Sequence, residues 1–266
     1  MTAKRSGKFT VATFNVNSVR SRLDVLLPWI GNHLPDVLCL QEIKVETDKF
    51  PLEPFKAAGY ECAVFGEKSY NGVAILSRGP LADVRRGLDD GKEKSEPARL
   101  IRATVRGVAV VNTYVPQGHE PDSDKFRYKL EWLERLRRFF EREYAPDAKV
   151  LWCGDMNIAP TPIDIHDPKG LLGHVGFRPE VWKALGEVTA WGFEDVFRRH
   201  RPEPGWYSYY DYRAKDPVKK KTGWRVDHIY CTAPLARLCT DSWIDVNTRL
   251  AEKPSDHCPV LAEFEL

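Results

Sequence analysis

The stretch Val150-Leu151-Trp152-Cys153-Gly154-Asp155-Met156-Asn157 decides how this 266-residue chain is read. An apolar run reaches a glycine, then an aspartate and an asparagine two positions apart. Residues i and i+2 of a strand face the same way. The run is therefore expected to be a strand that presents a carboxylate and an amide side by side at its end. Such a pair can hold a hard cation or orient a water molecule.

Further strand-like runs lie on either side of it. Phe9 to Phe14 precedes Asn15-Val16-Asn17, and Asp36 to Leu40 precedes Gln41-Glu42. Tyr60 to Phe65 and Gly72 to Leu76 are expected to pair as a hairpin, and so are Leu100 to Val105 and Val108 to Val115 around Arg106-Gly107. Lys149 to Cys153, Val226 to Tyr230, Leu238 to Val246 and Pro259 to Phe264 complete the set. Phe126, Leu130, Leu133, Leu136, Phe140 and Tyr144 recur at helical spacing, so a helix is expected from Asp122 to Tyr144, capped by Asp122 or Ser123. A second helix covers Val19 to His33 and is kinked or split because Pro28 lies inside it. A third covers Pro179 to Val188. Strands and helices interleave and no linker intervenes. This predicts a mixed α/β fold with more than one sheet, in a single domain over residues 9–266 behind a short basic tail, residues 1–8.

Composition sets outer bounds. Hydrophobic residues make up 42% and charged residues 29%, the balance of a soluble globular protein. The net charge is only +2, so any polyanion must be met by a local face rather than by overall charge. Six cysteines occur without a C-x-x-C pair, mostly in apolar runs such as Val37-Leu38-Cys39-Leu40. They read as buried reduced thiols, which argues against a zinc site or a disulfide framework. No signal peptide or membrane span is seen, and a cytoplasmic monomer is expected.

Polar residues gather at strand ends in six places. These are Asn15 and Asn17; Gln41, Glu42 and Lys44; Asn112, Tyr114 and Gln117; Asp155 and Asn157; Trp224, Arg225 and Asp227; and Ser255, Asp256 and His257. Open α/β folds place their sites at one edge of the sheet. Glu42, Asp256 and the asparagine side chains are hard oxygen donors suited to magnesium or manganese. His257 stands beside Asp256, with Asp227 available to orient its ring. No G-x-S-x-G elbow, Walker loop or dinucleotide fingerprint is present. The set reads as metal-assisted hydrolysis of a phosphate ester by water.

These segments closely resemble one family. Asn15-Val16-Asn17-Ser18, Gln41-Glu42-Ile43-Lys44, Asn112-Thr113-Tyr114-Val115-Pro116-Gln117-Gly118, Cys153-Gly154-Asp155-Met156-Asn157-Ile158-Ala159-Pro160, Gly223-Trp224-Arg225-Val226-Asp227 and Ser255-Asp256-His257 look like the motifs of the exonuclease III family of abasic-site (AP) endonucleases. They stand in the family's order. Tyr209-Tyr210-Asp211-Tyr212-Arg213 resembles its aromatic Asp-Tyr-Arg segment. The resemblance implies a DNase I-like four-layer α/β sandwich of two packed mixed β-sheets flanked by helices. It implies a DNA repair nuclease that uses magnesium or manganese. The substrate would be double-stranded DNA with abasic sites or blocked 3′ ends, with 3′–5′ exonuclease and 3′-phosphatase activity alongside.

The resemblance also assigns roles. Glu42 is the main metal ligand, with Asp256 and Asn17 or Asn15 completing the site directly or through water. Asp155 is the general base or, in another view, the acid for the leaving group. Asn157 orients the water. His257, held by Asp227, binds the phosphate, and Tyr114 contacts it or assists the leaving oxygen. Asp155, Asn157 and His257 are also counted among the metal-site candidates. Asn112 and Gln117 support the phosphate pocket and DNA backbone, Lys125 reaches the DNA, and Trp224 and Tyr209 line a pocket for a flipped-out abasic sugar.

Three positions depart from the family pattern. Met156 stands where phenylalanine is usual. Asn17 replaces an aspartate found in some relatives, which removes a negative charge near the metal. Ser18 stands where glycine is usual, so the turn there either needs no positive φ or tolerates strain. A small-molecule phosphoesterase on the same fold is the competing reading, and the aromatic residues and the Lys219-Lys220-Lys221 run argue against it.

Overall fold

The computed structural model describes residues 7–92 and 96–266. Of the basic tail, residues 1–6 lie outside the described residues, and Lys8 already opens the first strand. The strands are β1 (Lys8–Asn15), β2 (Val37–Gln41), β3 (Glu61–Phe65), β4 (Val73–Ser77), β5 (Ala82–Arg86), β6 (Leu100–Val105), β7 (Val108–Tyr114), β8 (Val150–Asp155), β9 (Phe193–Asp195), β10 (Asp227–Thr232), β11 (Cys239–Ile244) and β12 (Val260–Glu265). The helices are α1 (Leu23–His33), α2 (Leu52–Ala57), α3 (Asp124–Glu143), α4 (Pro179–Thr189), α5 (Val196–His200) and α6 (Ala233–Ala236).

Among the described residues the strands form two six-stranded sheets, ordered β11-β12-β1-β2-β4-β3 and β5-β6-β7-β8-β10-β9. Both are mixed. β1 runs parallel to β2 and β7 parallel to β8, while the other pairings are antiparallel. The parallel pairs need long crossovers, and α1 and α3 supply them.

Strand periodicity explains the layering. Val11, Val37, Cys39, Val110, Leu151 and Cys153 point into one core shared by the two sheets. Their neighbours point outward. Ala12, Phe14, Leu38 and Leu40 meet Leu26, Trp29 and Ile30 of α1 and Phe55 of α2. Val111, Val150 and Trp152 meet Trp132, Leu133, Leu136 and Phe140 of α3 and Leu185 of α4. Helices, sheet, sheet and helices therefore stack as the expected four-layer sandwich. No helix among the described residues is long and apolar enough to cross a membrane.

Local details refine the sequence reading. Ser123, not Asp122, caps α3, its Oγ accepting from Phe126 N at 3.2 Å. The expected break in the first helix falls at Arg22, where φ is −120° between a 3-10 turn and α1, and α1 runs on through Pro28. Arg106 and Gly107 take φ of 51° and 77°, the pair of positive values a two-residue hairpin requires. All six cysteines are free.

The register sets where the site falls. Asn15 pairs with Gln41 at the carboxyl ends of β1 and β2, and Tyr114 with Asp155 at those of β7 and β8. β10 is antiparallel to β8, so Asp227 opens β10 opposite Asp155. β12 is antiparallel to β1, which places Ser255 to Cys258 at the same edge. Six strand termini from two sheets converge there.

Candidate active site

Gly154 makes the turn at the end of β8 possible. Its φ is +137°, and a Cβ there would lie 1.9 Å from the Thr113 carbonyl oxygen of β7. Only glycine lets the chain bend while β7 and β8 stay paired. Asp155 follows, 1% exposed. Its Oδ1 accepts from Asn157 N at 2.8 Å, and its Oδ2 from Asn15 Nδ2 at 2.9 Å. The Asn157 amide donates to the Val115 carbonyl at 3.0 Å and reaches Asp155 Oδ2 at 3.4 Å.

His257 faces this carboxylate. Its Nδ1 donates to Asp227 Oδ2 at 2.8 Å, and its Nε2 lies 3.8 Å from Asp155 Oδ2. Burial opposes the ring's positive charge, but Asp227 and then Asp155 more than reverse that and push its pKa up to about 10. The ring is an imidazolium at neutral pH, with both nitrogens as donors. Asp155 is likewise shifted upward, to about 7. Burial raises its pKa, Asp227 and Glu42 add to the rise, and His257 opposes it.

Glu42 sits at the end of β2 with φ of 47°. Its Oε1 accepts from Asn15 Nδ2 at 2.7 Å, and its Oε2 pairs with Lys44 Nζ at 2.8 Å. Burial alone would raise its pKa, but Lys44 and the Asn15 amide outweigh that and hold it low. Lys44 also donates to Asn17 Oδ1 at 2.5 Å, and Asn17 Nδ2 to Asp256 Oδ1 at 3.0 Å. Ser18 has φ of 87°, so of the two expected outcomes for this turn the strained one holds. Burial, then Glu42 and Asp155, push the Tyr114 hydroxyl well above its ordinary pKa. It is a proton donor here and not a base.

Glu42, Asp155 and His257 each offer a ligand atom within 4.8 Å of the other two. The donor chemistry fits a divalent cation. Two carboxylates share the single Asn15 amide, and each raises the cost of charging the other. A bound cation removes that repulsion. Asn15 itself turns its NH2 to both carboxylates, because its Oδ1 accepts from Asn17 N at 3.0 Å. It aims donors at this point, so in this arrangement it cannot ligate directly.

Beside these groups lies a cavity of about 580 Å³. It is lined by the polar residues Glu42, Tyr114, Gln117, Asn157, Asp256 and His257 and by Tyr209, Trp224, His166, His174 and Leu171. Tyr209 and Trp224 exchange backbone hydrogen bonds at 2.8 and 3.0 Å, which fixes both rings at the rim. The Tyr209 ring lies 5.0 Å from His257, and His174 stands edge-on to Trp224 at 4.8 Å.

Two expected DNA contacts are not brought to this cavity. Asn112 is fully buried. Its amide donates to the Leu40 and Ala74 carbonyls at 2.9 Å each, and its Oδ1 accepts from Gln41 Nε2 at 2.6 Å. All these partners belong to the opposite sheet, so Asn112 pins the two sheets together and has no donor left for DNA. Lys125 is exposed at the start of α3 and lines no part of the cavity. Arg225, grouped by sequence with Trp224, turns away and pairs with buried Asp164 at 2.6 Å and half-buried Asp195 at 2.7 Å.

Sequence reasoning missed His166, His174, Leu171 and Lys129. The first three belong to an irregular segment with no periodicity to read. Lys129 carried a signal: it falls on the apolar stripe of α3 between Phe126 and Leu133.

A two-sheet sandwich with paired carboxylates and a carboxylate-held imidazolium at one edge defines a class of phosphodiester hydrolases. The chain belongs to the endonuclease/exonuclease/phosphatase family, whose profile matches residues 12–257. It is 35% identical to the exodeoxyribonuclease III of Haemophilus influenzae, over 95% of this chain and 98% of that one. Among solved structures, an AP endonuclease from Archaeoglobus fulgidus superposes with a TM-score of 0.94 at 47% identity, covering 97% of this chain and 100% of that chain. A Neisseria 3′ phosphatase bound to a product DNA hairpin gives 0.92 at 36% identity, with the same coverage.

Proposed function

We propose that this chain is a magnesium- or manganese-dependent DNA repair nuclease that hydrolyses the phosphodiester 5′ to an abasic site and also trims 3′ ends. The observation that carries this reading is the meeting of two held groups beside one cavity. Asp155, tied to Asn157, lies 3.8 Å from the ring of His257, which is held by Asp227, and Tyr209 and Trp224 line the cavity with Asn157 and His257.

The residues divide the work. Asp155, bonded to the Asn157 peptide and 3.8 Å from His257, is the group placed to accept a proton from attacking water. Asn157 aims that water, and its backbone bond to Asp155 fixes their spacing. The His257 imidazolium and the Tyr114 hydroxyl donate to phosphoryl oxygens as charge builds on them. His257 is assigned to phosphate rather than to metal because a ligating imidazole must be neutral. Glu42, whose carboxylate lies within 4.8 Å of Asp155, and Asp256 in the same cavity lining would hold the divalent cation, which would supply positive charge at the phosphoryl group. Asn17 keeps Asp256 and Lys44 in place around it. Trp224 and Tyr209 receive an extruded sugar, and Gln117 contacts the strand at the rim.

One sheet takes strands from both ends of the chain and the other from its middle, which supports one domain. Free thiols suit a reducing cytoplasm.

The test uses three end-labelled duplexes: one with a single abasic site, one blunt and one ending in a 3′-phosphate. Incision is expected with magnesium or manganese and none with EDTA. Asp155→Asn should lose at least about 100-fold, the scale of a positioned proton acceptor. Full activity in that variant, or hydrolysis of inositol phosphates in place of DNA, would overturn the reading.

A further inference from the structure

Lys129 lies fully buried one helical turn inside α3. Its ammonium donates to three carbonyls from three separate segments: Asn157 at 2.8 Å, Val175 at 3.1 Å and Gln117 at 3.2 Å. Among the described residues none of its hydrogen-bond partners is a carboxylate. Burying an ammonium against neutral acceptors costs several kcal/mol, and burial lowers this lysine's pKa to about 7 despite the opposing pull of Asp155. Methionine would fill the same space without that cost.

The three segments are those that carry the cavity. Gln117 follows β7, Asn157 follows β8, and Val175 adjoins His174. They are in close contact. A Cβ on Gly176 would meet the Asn157 oxygen at 2.8 Å, and one on Gly118 would lie 3.2 Å from Lys129 Cδ. Asn157 has φ of 50°, a strained conformation for a residue with a side chain. It is held at both ends: its N–H donates to Asp155, and its carbonyl accepts from Lys129.

We propose that Lys129 is a positioning residue for the phosphoester site, fixing the Asn157 peptide and tying it to the cavity lining at Gln117 and His174. This rests on the reading of the site given above. Lys129 touches no reacting atom. Its effect is geometric, and displacement of an aligned group by about 1 Å can cost about 100-fold in rate.

The experiment compares Lys129→Met, Lys129→Gln and Lys129→Arg with the parent chain, well below each melting temperature. Lys129→Met should lower kcat on the abasic duplex at least about tenfold and leave KM within about threefold. Lys129→Gln, which keeps two donors, should fall between. Amide hydrogen exchange gives an activity-independent readout. Exchange at Asn157 and Gly176 should accelerate in Lys129→Met, while amides of β1 and β2 keep their protection. A folded Lys129→Met with parental kcat and parental exchange at Asn157 overturns the proposal, as does failure of all three variants to fold. A parent chain that leaves the abasic duplex intact would instead refute the reading of the site, and the exchange result would still decide the role of Lys129.

Discussion

Asp227→Asn is the substitution whose effect can be worked furthest from the structure. Asp227 is fully buried, and its Oδ2 lies 2.8 Å from His257 Nδ1. The rise of His257 from 6.5 to about 10 amounts to roughly 5 kcal/mol in favour of the cation. Burial works against that cation, and Asp227 is the largest contributor in its favour. Asparagine keeps the shape and one acceptor oxygen but removes the charge. The pKa should then fall to roughly 6.5 or below. A raised pKa means that the cation is present below it and is lost as pH rises through it. In the parent chain that loss comes near pH 10, and in the variant it moves down to near neutrality. With a pKa of roughly 6.5, only about one ring in thirty is charged at pH 8, against most of them at pH 6. If the imidazolium donates to the phosphate, the variant should be slower by about thirtyfold at pH 8 and by less than about 1.5-fold at pH 6 from this cause. The assay is single-turnover incision of a labelled duplex carrying one tetrahydrofuran site, with saturating enzyme and magnesium, from pH 6 to 9. Melting curves in each buffer confirm folding. A variant-to-parent ratio that is the same at pH 6 and pH 8 would refute the reasoning, because Asp227 would then act through ring orientation alone.

Two further substitutions separate structural from functional residues. Asn112→Ala removes the pin between the sheets and leaves buried groups unmet, so urea unfolding should show a loss of about 2–4 kcal/mol, with KM for the abasic duplex unchanged; weakened DNA binding at full stability would restore Asn112 to the DNA interface. Ser18→Gly relieves a φ of 87°, at the expense of the exposed contact to Ser21 Oγ at 3.0 Å. It should add about 1 kcal/mol and raise the melting temperature by about 2 °C, and an unchanged or lower melting temperature would show that the turn stores no such strain.

The strand ends were legible because regular structure broadcasts itself. Val150 to Cys153 alternates faces with period two, so the polar residues that follow are fixed at its end. The same logic failed for Asn112. It shares a strand face with Tyr114, two residues on, yet Tyr114 reaches the edge and Asn112 reaches the opposite sheet. Depth along the strand separates them, and sequence carries no measure of where the facing sheet stops. Lys129 carried a signal that the sequence reading passed over, a lysine in an apolar stripe, and its partners are backbone carbonyls, which no side-chain pattern can reveal. β5 was missed because all its side chains are exposed, and β9 because it has three residues. The backbone at the site was also hidden. Asn17, Ser18, Glu42, Lys44 and Asn157 all have positive φ, and only asparagine is enriched in that region. At about 1 kcal/mol or more each, these residues are held by bonds already described: Lys44 between Glu42 and Asn17, Asp155 on Asn157, Asn15 between two carboxylates. Turning strand ends from two sheets toward one point forces the chain into such conformations. The same convergence brings like charges together. Strain and electrostatic repulsion at this edge thus have one geometric origin, and the network of amides and lysines around Asp155 is what the fold sets against both.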